Sequence, residues 1–493
     1  MSVPRRSLQL LPLTLVSRGV AFTVPVFLAQ WYGVSADMDA FYYALGIPTL
    51  LLVVGSSAVG SVLVPALARV AGPTADVQVE DGERADSDSG GALLGSAAGW
   101  AAFAATVLGS VLAGVLPVLL AYISDFEPAK IADTQSFCVD LLPFLACVAA
   151  SGALRAGVEI QGLFSWSTAS PLVRTVALLA TAVGVRAEGP AGLPFAMFTG
   201  ALVELVWLAT GLWGTPLRPR LALWPASLGP ALVRFGPVLV GETLVALNVV
   251  VDKVFAALLP EGSVSLLEYA DRARVIPMTL FESSLLVVAF NSWARVPADE
   301  RGAEVRRSLR WVLLLVPPVL GGLYVGRTVA IGVLFERGAF TADHTVGVSA
   351  AFGAFLPGVL TAMLAGLAVK AHLLADRARL VLVYGILSFV LNVALDLLLG
   401  RFGIAGLALA TSLTSLVVAA VSLQRLAREL PPGRSWVVPI LVTTGSLAVA
   451  VATSTIGAVM QWAPDSLTDL RLWAAAVPFV LLLGLGVREA RRS

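Results

Sequence analysis

Histidine and cysteine are almost missing, with two of each among 493 residues. A His/Cys metal centre therefore has almost no material. Cys138 and Cys147, nine residues apart in one apolar stretch, read as small buried hydrophobes rather than as a disulfide or metal pair. Charge is scarce as well: acidic and basic residues make up 13% of the chain, against about 25% in soluble domains. The net charge of +1 offers no footprint for nucleic acid. Lysine occurs three times and arginine thirty, which is read as coding bias rather than chemistry. No G-x-x-x-x-G-K-[ST] loop occurs, and no polar segment is long enough to house a catalytic domain. The chain is therefore expected not to be an enzyme and to carry no cofactor. Energy has to come from an ion gradient, the membrane potential or an external partner.

What fills the chain instead is apolar: 58% of residues are hydrophobic and the mean hydropathy is +0.87. A membrane-crossing helix needs about 20 mainly apolar residues. Fourteen such stretches can be drawn, at 8–32, 40–70, 92–123, 136–160, 167–187, 190–214, 229–258, 264–294, 308–335, 345–373, 378–400, 402–424, 435–460 and 469–488. The expected fold class is thus an all-α polytopic membrane protein of about 14 transmembrane helices. Met1–Leu8 is too short for the n- and h-regions of a cleavable signal, so the first stretch is expected to be a retained span.

Basic residues fix the orientation. Arg5 and Arg6, Arg218 and Arg220, the arginines from Arg295 to Arg310, Arg377 and Arg379, Arg425 and Arg428, and Arg488, Arg491 and Arg492 all fall on one side if the spans alternate. Cytoplasmic loops carry such an excess, so both termini are expected inside a bacterial cytoplasmic (inner) membrane. The acidic loop 74–91 also falls inside and reads as a disordered connector.

The chain also echoes itself. Asp39 to Pro48 (DAFYYALGIP) superimposes on Glu268 to Pro277 (EYADRARVIP) at a constant offset of 229 residues, with an acid at the start and Ile-Pro at the end of each. This predicts two pseudo-symmetric six-helix lobes, 1–215 and 228–425, followed by two additional spans within 434–493. Six spans per repeat is an even number, so the repeats enter from the same side and are related by an axis along the membrane normal. Such a chain can enclose a central cavity that opens to either face.

Ionisable residues at membrane depth are costly and mark substrate or ion paths. Arg155, Glu159 and Lys370 lie near span ends and read as snorkelling side chains. Arg18 on span 1, Asp252 on span 7 and Arg272 on span 8 are in the spans that the repeat places around the cavity. A guanidinium is a permanent planar fork suited to phosphate oxygens, so arginines there fit a phosphorylated lipid head group. The competing reading is a structural pair in which Asp39 or Asp271 neutralises Arg272. Asn392 and Asp396 share one helix face at i, i+4; with Asp252 and Thr411 they offer oxygen ligands for Na⁺. On the residues alone, cross-helix hydrogen bonding by Asn392 and a water-facing Asp396 is the better reading of that pair.

Four stretches then carry a resemblance. LLPEGSVSLLEYADRARVIP (258–277), SRGVAF with YGVSADMDAFYYALGIPTLL (17–22 and 32–51), LFERGAFTADHT (334–345) and NVALDLLLGRFGIAGLALATS (392–412) resemble the lipid II flippase (MurJ/MviN) family of the multidrug/oligosaccharidyl-lipid/polysaccharide exporter superfamily. The resemblance implies alternating access by two lobes, an undecaprenyl-diphosphate-linked substrate, and two extra helices associated with a groove for its lipid tail. It implies a cationic cavity in which Arg18 and Arg272 match arginines and Asp39 matches an acid. It also places Asp252, Asn392, Asp396 and Thr411 on or beside the family's sodium-site positions. The chain departs from the pattern at Val24-Pro25 and Leu52, where the family has arginines, and at Ser57 and Asn291. Arg174, Arg274 and Lys370 are the candidates to compensate.

The expected function is therefore flipping of a polyprenyl-diphosphate-linked glycan, lipid II or a related envelope precursor, coupled to Na⁺ or H⁺. The expected substrate contacts are Arg18, Asp39, Arg174, Arg272 and Arg274; partners are membrane lipids and envelope-synthesis proteins. Two other readings remain open at this point: a cation-coupled exporter of amphipathic small molecules, and a non-transporting scaffold of an envelope-synthesis complex.

Overall fold

Hydrophobic runs of span length fold as helices wherever the computed structural model describes the chain, which is at residues 3–46, 87–123, 127–220, 228–281, 293, 296–297, 300–375, 377–428, 443–446, 477–485 and 487–488. The helices are α1 (Val3–Tyr32), α2 (Ser87–Ile123), α3 (Pro128–Asp140), α4 (Leu142–Ile160), α5 (Phe164–Gly184), α6 (Leu193–Gly211) and α7 (Leu228–Ala256). They continue with α8 (Ser263–Phe281), α9 (Arg301–Val325), α10 (Arg327–Phe335), α11 (Ala342–Leu374), α12 (Ala378–Leu399) and α13 (Gly403–Ala427). Among the described residues, seven helical segments are long and apolar enough to cross a membrane, the last of which, Arg379–Ala427, runs through both α12 and α13. The chain is an all-α polytopic membrane protein, as its composition predicts. The spans expected at 40–70, 435–460 and 469–488 lie largely outside the described residues, as do most of the acidic loop and positions Leu52, Ser57 and Asn291.

Two stretches read as simple spans are interrupted. The run 136–160 breaks at Leu141, between α3 and α4, because Pro143 has no N–H and its ring crowds the carbonyl four residues back. The run 308–335 breaks at Gly326, between α9 and α10. The closely spaced pair 167–187 and 190–214 is separated by a 3₁₀ turn, Arg186–Gly192, in which Gly189 takes φ +70° before Pro190.

Contacts divide the chain into two compact units. The first comprises residues Met1–Leu28 with Ser35–Gly262 and the second Ala29–Val34 with Ser263–Ser493, so that α7 belongs to the first. The first unit has a core cluster of Leu93, Leu94, Leu154, Val158 and Leu208 from α2, α4 and α6, with Leu212 just past the end of α6. Beside it the rings of Trp166 and Trp207 stack at 4.0 Å, and each indole N–H donates to the other's backbone carbonyl, at 2.8 and 3.1 Å. The indole pair thereby satisfies its polar edges internally.

In the second unit α11 packs along α13, and the contact is built around a deliberate defect. Ser412 of α13 inserts into the α11 ladder: its hydroxyl donates to the Ala354 carbonyl at 2.6 Å and accepts the Gly358 N–H at 3.2 Å. Gly358 follows Pro357, where the helix already lacks an N–H, and a side chain at 358 would collide with Ser412.

The end of α1 is knitted into this unit by two glycines. Gly33 (φ +59°) and Gly338 (φ +63°) adopt left-handed backbone, and a Cβ on either would run into the backbone of Ala339 or Gln30 respectively. Ala339 N–H donates to the Gln30 carbonyl at 3.0 Å, and the Tyr269 hydroxyl donates to the Gly33 carbonyl at 3.0 Å. Tyr269 itself sits among Phe335 and Phe340, both 5.4 Å away. This is why the YGV and ERGAF motifs need their glycines. Gly33→Ala and Gly338→Ala are each expected to destabilise by about 1–3 kcal/mol from the backbone conformation alone, with the collision added. Thermal unfolding of the detergent-purified protein checks this; an unchanged midpoint for both would refute it.

Candidate substrate and ion sites

Helix α8 carries Glu268, Asp271, Arg272 and Arg274 within two turns. Spacing pairs them: Glu268 with Arg272 at i, i+4 and Asp271 with Arg274 at i, i+3, each acid preceding its base, the favourable order on a helix. Glu268 is buried and accepts from Arg272 Nε at 2.8 Å and Nη2 at 2.6 Å. The Arg272 side chain is 40% exposed, so a buried carboxylate aims an accessible guanidinium. Arg274 Nε donates to Asp271 at 2.6 Å, and its guanidinium lies 4.7 Å from the Phe355 ring centroid on α11. Arg274 is thus held on two sides, by charge and by an aromatic face. Arg18 is exposed on α1.

Asp39 has a different setting. It is 1% exposed, and its Oδ2 accepts from Lys130 Nζ at 3.0 Å and from the Gly262 N–H at 2.7 Å. Reading the sequence did not single out Lys130, because nothing local relates it to an acid 91 residues earlier. Lys253, next to the proposed ligand Asp252, is buried and donates to the Tyr42 carbonyl at 2.6 Å. The first unit therefore draws two of the chain's three lysines onto the 39–42 segment.

Arg174 is placed in a buried network. Glu204 of α6 is wholly buried; its Oε1 accepts from Arg155 Nη2 at 2.5 Å and from the Ser170 hydroxyl at 3.0 Å. Its Oε2 accepts from Arg174 Nη1 at 3.1 Å. Arg155, expected to snorkel, is instead the second arm of this carboxylate, because a buried acid on α6 offers it a closer partner than the interface does.

Of the candidate sodium ligands, Asp252 belongs to the first unit and the other three to the second. Asn392 and Asp396 are both buried, and Asn392 Nδ2 donates to Asp396 Oδ2 at 2.8 Å along α12. Asp396 therefore does not face water. Thr411 lies on α13, which packs against α12, and its hydroxyl donates to the Leu407 carbonyl at 3.2 Å. Among the described residues no group of three or more His, Cys, Asp or Glu side chains is gathered for a metal. A buried carboxylate with a neighbouring amide offers oxygen donors of the kind a hard cation takes.

Sequence reading also passed over Arg327. It stands at the break between α9 and α10, inside a run taken as one apolar span. Its Nη1 donates to the Tyr324 carbonyl at 2.8 Å, and its guanidinium lies 4.7 Å from the Tyr324 ring centroid. An arginine inside a hydrophobic run was the available signal.

Comparisons with known proteins agree along most of the chain. The family model described as Lipid II flippase MurJ matches residues 28–473. A probable lipid II flippase MurJ of Vibrio cholerae is 27% identical over 506 aligned positions, covering 96% of this chain and 92% of that protein. The lipid II flippase MurJ of Burkholderia cenocepacia is 26% identical over 70% of this chain and 69% of its own length. A solved structure of lipid II flippase MurJ in an inward closed conformation superimposes with a TM-score of 0.80 at 17% identity, covering 98% of this chain and 99% of that one. An inward-facing multidrug resistance MATE family transporter of the MOP superfamily follows with a TM-score of 0.65 at 10% identity, over 83% of this chain and 97% of its own. Both structures are likenesses of fold.

Proposed function

Because the chain belongs to the lipid II flippase MurJ family, we propose that it is a transporter that moves a polyprenyl-diphosphate-linked glycan, lipid II in the first instance, across the cytoplasmic membrane by alternating access. The observation that carries this reading is the family match over residues 28–473. It is supported by the accessible guanidinium that Glu268 aims from α8. Arg18 and Arg272 contact the diphosphate. Arg274, set against Phe355, and Arg174 supply further positive potential in place of the arginines that Val24 and Leu52 leave out. Asp39 acts through Lys130, holding the 39–42 segment rather than meeting an anion directly.

Asn392, Asp396 and Thr411 of the second unit offer oxygen ligands to Na⁺, whose gradient resets the carrier; Asp252 of the first unit is a separate candidate for the coupling ion, and H⁺ is the other ion. Both termini face the cytoplasm, in keeping with the arginine-rich loops, and other envelope-synthesis proteins supply and consume the lipid. The test is growth rescue in a strain depleted of its own lipid II flippase. Expression of this chain is expected to restore growth and the supply of lipid II to the outer leaflet. Membrane-inserted protein that restores neither would transfer the chain to another polyprenyl-linked glycan.

A further inference from the structure

Arg327 and an apolar pocket in the second unit together make a site apart from the residues given above to the head group and the coupling ion. The pocket is about 400 Å³ and lies between α9, α11, α13 and the 443–446 segment, within the range of small-molecule sites. Pro357 and Leu360 of α11 form part of its wall, and Leu409 and Leu416 of α13 line it while remaining exposed. Its hydroxyls are turned inward. Thr361 donates to the Pro357 and Gly358 carbonyls, Ser412 to Ala354 and Thr443 to Leu313, so these hydroxyls are spent on backbone and the lining is mainly hydrocarbon.

Tyr324 lines this pocket, and the Arg327 guanidinium lies against the Tyr324 ring. The arginine's methylene stem passes over Gly353, where a side chain would block it. No carboxylate pairs with Arg327 among the described residues. Its depth is informative. Arg307, an exposed basic residue at the start of α9, precedes it by twenty positions. At 1.5 Å per residue that is roughly 30 Å, the thickness of a hydrocarbon core. Arg327 therefore stands near the head-group level of the leaflet opposite the Arg301–Arg310 stretch, with the pocket running from it toward the bilayer centre.

We infer that Arg327 and this pocket bind an anionic bilayer phospholipid, its phosphate on the guanidinium and one acyl chain between α9, α11 and α13. A zwitterionic lipid brings its own ammonium to the phosphate and leaves the arginine's charge uncompensated, so the site selects net negative head groups.

The test is lipid titration of the full-length detergent-purified protein, read by native mass spectrometry. Dioleoyl phosphatidylglycerol is expected to bind at least tenfold more tightly than dioleoyl phosphatidylcholine. Arg327→Gln is expected to remove that preference, and Arg327→Lys to keep most of it, separating charge from folding. Leu360→Trp, which fills the pocket, is expected to weaken both lipids. Equal phosphatidylglycerol binding by wild type and Arg327→Gln would overturn the site. So would competition by millimolar inorganic phosphate, which would reduce it to an anion contact without a chain. Displacement by polyprenyl phosphate in preference to phosphatidylglycerol would assign the pocket to the transported lipid and overturn it as well.

Discussion

Replacing Arg272 with alanine is expected to abolish growth rescue in the flippase-depleted strain while the protein still reaches the membrane. The two roles of this arginine differ in size. As the 40% exposed half of an i, i+4 pair with buried Glu268 it contributes on the order of 1 kcal/mol to the fold, after screening by solvent. As a phosphate ligand it contributes roughly 1.5–3 kcal/mol for each charged hydrogen bond. A two-pronged contact is then lost at about 3–6 kcal/mol, or two to four orders of magnitude in head-group affinity. Function therefore falls long before stability does. The truncation also takes a partner from buried Glu268, so Arg272→Ala with Glu268→Gln is the cleaner variant and is expected to lose function equally. Arg272→Lys keeps the charge but not the planar fork and is expected to be intermediate. Full rescue by Arg272→Ala at normal membrane levels would move anion recognition away from α8.

The α8 pairs were open to sequence reading because their partners are local. Helical spacing alone brings Glu268 to Arg272 and Asp271 to Arg274, and composition alone demands helices around them. The echo between 39–48 and 268–277 identified two acids, and both are buried, at 1% and 5% exposure. What it could not show is that they are used differently. Glu268 finds its base four residues on, whereas Asp39 takes Lys130 and the Gly262 N–H from 91 and 223 residues away. Hydropathy likewise hid interruptions that cost no hydrophobic residue. Pro143 was a visible helix breaker inside an apolar run, and the break at Gly326 has no proline to announce it. Arg155 reads from the sequence as a snorkelling side chain and Arg174 as a candidate anion contact, and nothing in the sequence sets Glu204 between them. Their convergence depends on how α4, α5 and α6 pack, which no spacing rule contains.

That convergence makes Glu204→Gln the substitution expected to cost the fold most. The carboxylate neutralises two guanidinium groups at once, through Arg155 at 2.5 Å and Arg174 at 3.1 Å, with Ser170 completing its acceptors. Removing its charge leaves two cations facing each other at membrane depth. Breaking a buried pair in this way costs about 3–5 kcal/mol. The arginine side chains are 31% and 25% exposed, so solvent screening trims the expected loss of unfolding free energy to about 2–4 kcal/mol. Arg174→Gln should behave differently, because Arg155 still neutralises Glu204 and one charged hydrogen bond is exchanged for a neutral one. A loss of about 1 kcal/mol is expected there. Adding Arg174→Gln to Glu204→Gln should then recover stability rather than lose more, with a coupling of about 1–3 kcal/mol measured by thermal or denaturant unfolding of purified protein. Additive losses would show that the three charges do not share one balance. The same variants decide what Arg174 is for. Folded Arg174→Gln that rescues growth assigns the arginine to the architecture of α4, α5 and α6, and folded protein that fails to rescue assigns it to the anionic substrate.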